Sequence, residues 1–358
     1  MSIFRGERIS LEIYGGSHEA VIGVRITGIA AGFHIDRTAI AEFMARRAPG
    51  RDKYSTPRVE ADAVEFLSGV DGDITTGGEI HAVIRSTNHR SSDYSRFADT
   101  PRPSHADYVA RVKYRDTVNM AGGGPFSGRM TAPLCIAGAI ALGILRERGV
   151  EIGAHLYSVA DVADTPIDPV RASVSELLEV RNKPFPTYSD SAAEGMQAAI
   201  LRAKEQGDSV GAVVECAVLG LPVGLGGPLF EGIESRISAL AFAVPAVKGI
   251  EFGSGFCSSR MTGSQHNDLF DIEDGRVVTL TNNSGGIQGG ISNGMPLIFR
   301  CAFKPTPSIA REQTTLSLER GERVPLLIGG RHDPCVALRA VPVMEAVAAL
   351  AILDYIEV

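Results

Sequence analysis

An α+β fold built on antiparallel sheets is what this sequence predicts, and three observations carry the prediction. Segments with strand-like alternation are grouped rather than interleaved one by one with helical segments, which disfavours a doubly wound parallel sheet. Two apolar runs, 135–145 and 341–352, are too long for ordinary strands and read as buried helices. Glycine is abundant, 40 among 358 residues, so tight turns and close backbone approaches must be frequent.

In chain order, residues 8–14 and 21–29 alternate as strands, and Asp36 is placed to cap a helix ending at Arg47. Ser104 is expected to cap a helix over 105–114. The run 135–145 follows as a core helix. Ser191-x-x-Glu194 reads as a capping box opening a helix that ends near Gly207. Strands are expected over 210–219 and 295–303, and Pro342 suits the first turn of the last helix. No Pro/Ser-rich linker divides the chain, so one domain spanning 1–358 is expected. There is a faint internal echo: Gly72-x-x-x-x-Gly77-x-x-Ile80 resembles Gly289-x-x-x-x-Gly294-x-x-Leu297, and Ser127-Gly128-Arg129-Met130-Thr131 resembles Ser258-Ser259-Arg260-Met261-Thr262.

Composition narrows the function. A formal net charge of -7 argues against nucleic acid as a partner, because phosphate backbones demand a broad basic surface. The apolar runs of about a dozen residues fall short of a bilayer span, so no membrane partner is expected. Five scattered cysteines without a C-x-x-C pair, behind an N-terminus lacking an apolar leader, suggest a reduced, cytoplasmic protein. Several chemistries drop out on motif grounds. There is no G-x-S-x-G elbow, no Walker A and no G-x-G-x-x-G opening a strand-turn-helix unit. His18-Glu19 lacks a second histidine four residues on, and no cysteine or histidine spacing suits zinc, so no metal is expected.

What remains is a set of loops rich in cations and imidazoles. Gly330-Arg331-His332-Asp333-Pro334-Cys335 sets a permanent cation, an imidazole and a carboxylate side by side before the last helix. Arg46-Arg47-Ala48-Pro49-Gly50-Arg51-x-Lys53 ends the first helix with four cations, which equally suits a helix C-terminus. Arg102-Pro103-Ser104-His105-Ala106-Asp107-Tyr108 puts a histidine at a helix start. Gly122-Gly123-Gly124-Pro125-Phe126-Ser127-Gly128-Arg129 is a backbone-donor loop with an arginine, of a kind that can hold phosphate or simply turn. Lys304-Pro305-Thr306-Pro307-Ser308 adds a cation and two hydroxyls. Together they suit a small substrate bearing several negative charges, which arginine grips bidentately.

The order and identity of these blocks resemble the chorismate synthase family across nearly the whole chain. Gly15-Gly16-Ser17-His18, Phe66-Leu67-Ser68-Gly69-Val70, Gly207-Asp208-Ser209-Val210-Gly211 and Ala246-Val247-Lys248-Gly249 add to the match. The resemblance implies a βαβ sandwich with internal pseudo-two-fold symmetry, its antiparallel sheets enclosing central helices, assembled as a homotetramer. It implies 1,4-elimination of phosphate and a ring hydrogen from 5-enolpyruvylshikimate 3-phosphate, giving chorismate for aromatic amino acid biosynthesis through the shikimate pathway. Reduced FMN is the implied cofactor, with NADPH entering only as its reductant and a separate flavin reductase as a partner.

By the same resemblance, His18 is expected to protonate the departing phosphate, His105 to lie near the flavin, and Asp333 to work in proton removal. Arg46, Arg47, Arg102, Ser127 and Arg129 are expected around the substrate. Ser127, Pro245, Ala246, Gly289, Lys304, Pro305, Thr306, Pro307, Ser308 and Arg331 are expected around the cofactor. The chain departs from the family pattern where Gly-Glu-Ser-His-Gly becomes Gly15-Gly16-Ser17-His18-Glu19 and where Arg-Ser-Ser-Ala-Arg-Glu-Thr becomes Pro125-Phe126-Ser127-Gly128-Arg129-Met130-Thr131. Pro245-Ala246 stands where Asn-Ala is usual. The alternative is a divergent paralogue that binds flavin or a small anion without this chemistry.

Overall fold

The computed structural model describes residues 2–50, 53–55, 62–86, 95–115, 117–329 and 332–357. Two five-stranded sheets, every neighbouring pair antiparallel, face each other across a layer of helices. The first runs in the spatial order Ser2–Arg5, Ser10–Tyr14, Val21–Thr27, Ile80–Arg85, Val64–Ser68. The second runs Val162–Ala163, Glu151–Val159, Ala212–Leu219, Leu297–Phe303, Val247–Phe252. The expected strands are all present, each shortened by two residues where glycine, proline or a turn interrupts the alternation.

The helix layer is made by the two apolar runs. Helix Thr131–Glu147 packs on the first sheet, helix Ala337–Leu353 on the second, and the two pack on each other. Both are apolar nearly all round, as a helix buried on every side must be. Gly138 marks their closest approach, since a Cβ there would overlap Ala346. The turn and helix over Gly128–Glu147 reach 20 residues at a mean hydropathy of 1.6, longer than the sequence suggested, yet 83% of that window is buried inside the protein. One continuous hydrophobic core, from Ile9 to Leu353, runs through both halves.

The two halves repeat one chain path. Strands Ser10–Tyr14 and Val21–Thr27, helix Arg37–Arg47, strands Val64–Ser68 and Ile80–Arg85, then helix Thr131–Glu147 are matched in order. Their counterparts are Glu151–Val159, Ala212–Leu219, Ile233–Ala243, Val247–Phe252, Leu297–Phe303 and Ala337–Leu353. The Gly72/Gly289 echo is part of this duplication, because each copy leads into the equivalent strand. The Ser127/Ser258 echo is not: the first copy enters a core helix, whereas the second lies in the connection between two strands.

Helix starts were the least legible feature. Asp36 caps Arg37–Arg47 as expected, its side chain accepting from the Ala39 amide. Helix Asp190–Glu205 is capped by Ser189 rather than Ser191. Ser104 does not cap; it adopts φ +59, and the helix begins at Asp107. Pro342 sits in the second turn of Ala337–Leu353, where it removes a backbone donor instead of filling an orphan position.

Candidate active site

The end of helix Arg37–Arg47, the start of helix Asp107–Tyr114, the glycine loop before Thr131 and the loop before Ala337 converge on a cavity of about 880 Å³. Of the expected site residues, Arg47, Arg102, His105, Ser127, Arg129, Pro245, Ala246, Lys304, Thr306, Pro307, Ser308 and Asp333 line it. Segments more than 200 residues apart in sequence meet here.

The glycine loop organises the two histidines. Gly122, Gly123 and Gly124 have φ of +63, +93 and +51, a run of left-handed backbone that residues with a Cβ adopt only at a cost. Absence of side chains has a second use. A Cβ on Gly122 would overlap the His18 ring, and one on Gly123 would stand 3.3 Å from His105 Nε2, so both imidazoles lie against the bare loop. The His18 loop is tied to it by the Ser17 amide, which donates to the Gly124 carbonyl at 3.2 Å. Glu19 Oε1 lies 3.2 Å from where a Cβ of residue 16 would stand. The carboxylate that the resemblance expects at position 16 is therefore supplied from position 19.

His105 is held by a buried ion pair. Its Nδ1 is 2.7 Å from Asp107 Oδ1, and Asp107 accepts in turn from Arg102 Nε at 2.7 Å, Arg102 Nη2 at 2.8 Å and the Arg102 amide at 3.0 Å. Arg102 Nη1 donates to Ser308 Oγ at 3.1 Å, and the guanidinium lies over the Phe97 ring. Burial alone would raise the Asp107 carboxyl, but the hydrogen bonds from Arg102 and His105 outweigh it and hold it far below the usual carboxylate range. Arg102 lines the cavity but is spent on Asp107, which corrects its expected role as a grip on substrate.

Arg47, Arg129 and Arg339 line the same cavity. Arg47 is 1% exposed, with Nη1 3.2 Å from Asp62, and Arg129 donates to the same carboxylate. Asp62 reaches between them from a left-handed backbone, φ +46. Arg339 donates to Asp333 at 2.6 Å and to the Arg47 carbonyl at 3.1 Å, tying the last helix to the first. Among the described residues neither Nη1 nor Nη2 of Arg47 makes a hydrogen bond of good geometry. Burial, with the neighbouring Arg339 adding to it and Asp62 opposing, pushes the Arg47 guanidinium down to about 10. Among the described residues, Arg47 and Arg129 meet at Asp62 while Arg339 meets Asp333. Phe126, Phe242, Val244, Phe303 and Val336 add apolar lining to the cavity, and Lys248 and Lys304 add cations.

Four described residues of the expected set do not line this cavity, and one of them is His18, which lies behind Gly122. Arg46 grips Glu345 bidentately at 2.6 and 2.8 Å and lines a different cavity, because the buried Glu345 demands a partner. Gly289, φ +63, makes the turn between Ile287–Gln288 and Ile291–Ser292, away from the cavity. Pro305 is exposed and turns toward Gly211, leaving its neighbours to face inward. Arg331 and Arg51 lie outside the described residues. Burial pushes the Cys335 thiol up to about 11, so this cysteine of the charged loop is packing and no nucleophile. Asp62 had no motif of its own; Arg339 stood in the stretch that follows the charged loop, but no spacing announced its pairing with Asp333.

Comparison with known proteins decides the family. The family model described as chorismate synthase matches residues 9–356. The chain belongs to the chorismate synthase family. It is 41% identical to chorismate synthase of Lancefieldella parvula, over 98% of this chain and 94% of that one. Chorismate synthase of Korarchaeum cryptofilum is 42% identical over 98% and 96%, and that of Synechocystis 43% over 98% and 96%. A crystal structure of chorismate synthase, 24% identical, superposes with a TM-score of 0.75 over 98% of this chain and 92% of that one, and so shares the fold. The protein is an enzyme, a lyase of the chorismate synthase type acting on a small substrate.

Proposed function

We propose that this enzyme eliminates phosphate and a ring hydrogen from 5-enolpyruvylshikimate 3-phosphate to give chorismate, in the cytoplasm, with reduced FMN in the 880 Å³ cavity. The observation that carries the reading is Arg47: a guanidinium buried on a cavity wall, short of acceptors among the described residues, is stabilised by an incoming anion. As the carbon–oxygen bond breaks, its electron pair leaves on the phosphate. Arg47 and Arg129 neutralise that charge from a water-poor wall, where preorganised cations act most strongly. His18 delivers the proton the leaving phosphate needs, and Asp333 is placed to assist removal of the ring proton.

The residues present fit a flavin. The bare glycine loop leaves room against His105, the apolar lining suits a flat ring system, and Lys304 with Ser127, Thr306 and Ser308 suits a phosphate tail. Pro245 and Ala246 line the same cavity, Ala246 in left-handed backbone at φ +76. When bound, reduced FMN supplies electron density to the substrate and a basic nitrogen for the ring proton, with no net redox change. NADPH serves only as its reductant, delivered by a separate reductase.

A homotetramer of single-domain chains completes the reading. Supporting it are large apolar side chains left in solvent: Phe230 is 91% exposed, Leu229 83% and Phe256 78%. Anaerobic incubation with reduced FMN and the phosphate substrate should release phosphate and chorismate in equal amounts. Tight flavin binding without elimination would instead assign the chain as a binding paralogue.

A further inference from the structure

His105 has two ring nitrogens in different surroundings, and the surroundings decide which carries the proton. Nδ1 lies 2.7 Å from Asp107 Oδ1. A bare Nδ1 at that distance would set its lone pair against a carboxylate oxygen, so Nδ1 must donate. Arg102 Nη2, 3.1 Å from the same nitrogen, would donate to it in the other tautomer, so the two groups compete for Nδ1 and the shorter contact, to a charged oxygen, decides. The other nitrogen, Nε2, is left as the acceptor beside the Gly123 backbone at the cavity. Asp107 cannot rotate away, because Oδ2 takes the Arg102 amide and Nε while Oδ1 takes Nη2 and the imidazole.

We propose that Asp107 is a positioning residue that fixes the Nδ1–H tautomer of His105, so that a bare Nε2 is presented to the bound ligand, and that Arg102 serves to lock Asp107 rather than to bind substrate. The proposal rests on the elimination reading for its kinetic consequence but not for its structural one. Asp107→Asn makes the logic visible. Each carboxylate oxygen faces two donors, so an amide NH2 must displace a donor wherever it is placed. The less costly placement is on the Oδ1 side, where only the Arg102 Nη2 bond is lost if the imidazole flips to the Nε2–H tautomer and accepts from the amide. Nε2 would then be a donor where the site requires an acceptor.

Two measurements test this. Imidazole nitrogen NMR on ligand-free protein carrying ¹⁵N-histidine, recorded at a pH where the ring is neutral and assigned by loss of the signal in His105→Gln, should show Nδ1 protonated in the wild type and Nε2 protonated in Asp107→Asn. Kinetically, Asp107→Asn should lower kcat about 10²–10⁴-fold, with KM within roughly threefold and the melting temperature nearly kept, as expected for a misplaced imidazole proton. Asp107→Glu, which restores a carboxylate, should recover part of kcat. A wild-type His105 found as the Nε2–H tautomer overturns the proposal even if Asp107→Asn does not fold. So does an Asp107→Asn enzyme with wild-type kcat. If the wild type shows no elimination at all, the function proposed above fails while the tautomer measurement still decides this one.

Discussion

Two clusters of buried charge, one inside the second sheet and one on the cavity, are completed differently. In the sheet, His155 spans Asp164 at 3.1 Å and Glu215 at 2.8 Å, while Arg300 closes on Glu215 at 2.7 and 2.8 Å. Backbone amides of Ile167, Tyr188 and Ser189 fill the remaining acceptor sites. His155 and Arg300 are closed by Asp164 and Glu215, with Glu251 a further 3.6 Å from Arg300, and these residues do not line either cavity described above. On the cavity, Arg47 and Arg129 meet at Asp62 while Arg339 meets Asp333. Both clusters are buried; only in the second is a guanidinium, that of Arg47, short of acceptors among the described residues. Burial of charge marks structure when its hydrogen bonds close and a ligand site when they do not.

The sharpest way to break the contrast is to remove an acid-base group from the open site. His18→Ala or Asp333→Asn should lower turnover about 10²–10⁴-fold with a smaller loss of stability than a break in the Glu215 cluster, since Asp333→Asn keeps an oxygen for Arg339. Loss of activity that merely follows loss of folded protein would put these residues in the structural class.

The reciprocal change is Glu215→Ala, which strands His155 and Arg300 in the sheet. Urea unfolding should show about 3–5 kcal/mol of lost stability, the cost of uncompensated buried charge, with turnover per folded molecule retained. Equal stability would show that the closed cluster is dispensable.

A smaller effect sharpens the same point through pH. Burial would lower His155, but hydrogen bonds to Asp164 and Glu215 outweigh it and raise it above the ordinary histidine value. A raised folded-state value stabilises fully below the unfolded value near 6.5 and is lost as pH climbs through the folded one. Unfolding midpoints should therefore decline on the alkaline side, and His155→Gln should flatten that limb. An unchanged limb would mean the decline belongs to other groups.

Local features were legible in the sequence and pairings were not. Periodicity located the two core helices and the inner strands, and Asp36 announced its helix because a cap acts within three residues. Ser104 failed as a cap because the turn around His105 is shaped by Asp107 reaching back to the Arg102 amide. Arg46 and Arg47 are adjacent and chemically alike, yet helix geometry turns them to opposite sides. One is claimed by Glu345, 299 positions away, and the other reaches the cavity. Arg102, Asp107 and His105 stood together in one motif, but their division of labour depends on which atoms touch. Asp62 was invisible because a lone carboxylate has no signature until two arginines arrive from distant segments.

The most direct test of the central claim, that the buried arginines of the cavity form the anion site, is equilibrium titration of 5-enolpyruvylshikimate 3-phosphate into the wild type and Arg47→Ala. Loss of a buried charge-assisted contact should cost about 2–4 kcal/mol, a Kd weaker by roughly 30- to 900-fold, with the fold retained. An Arg47→Ala protein that is folded and binds the substrate as tightly as the wild type would contradict the account.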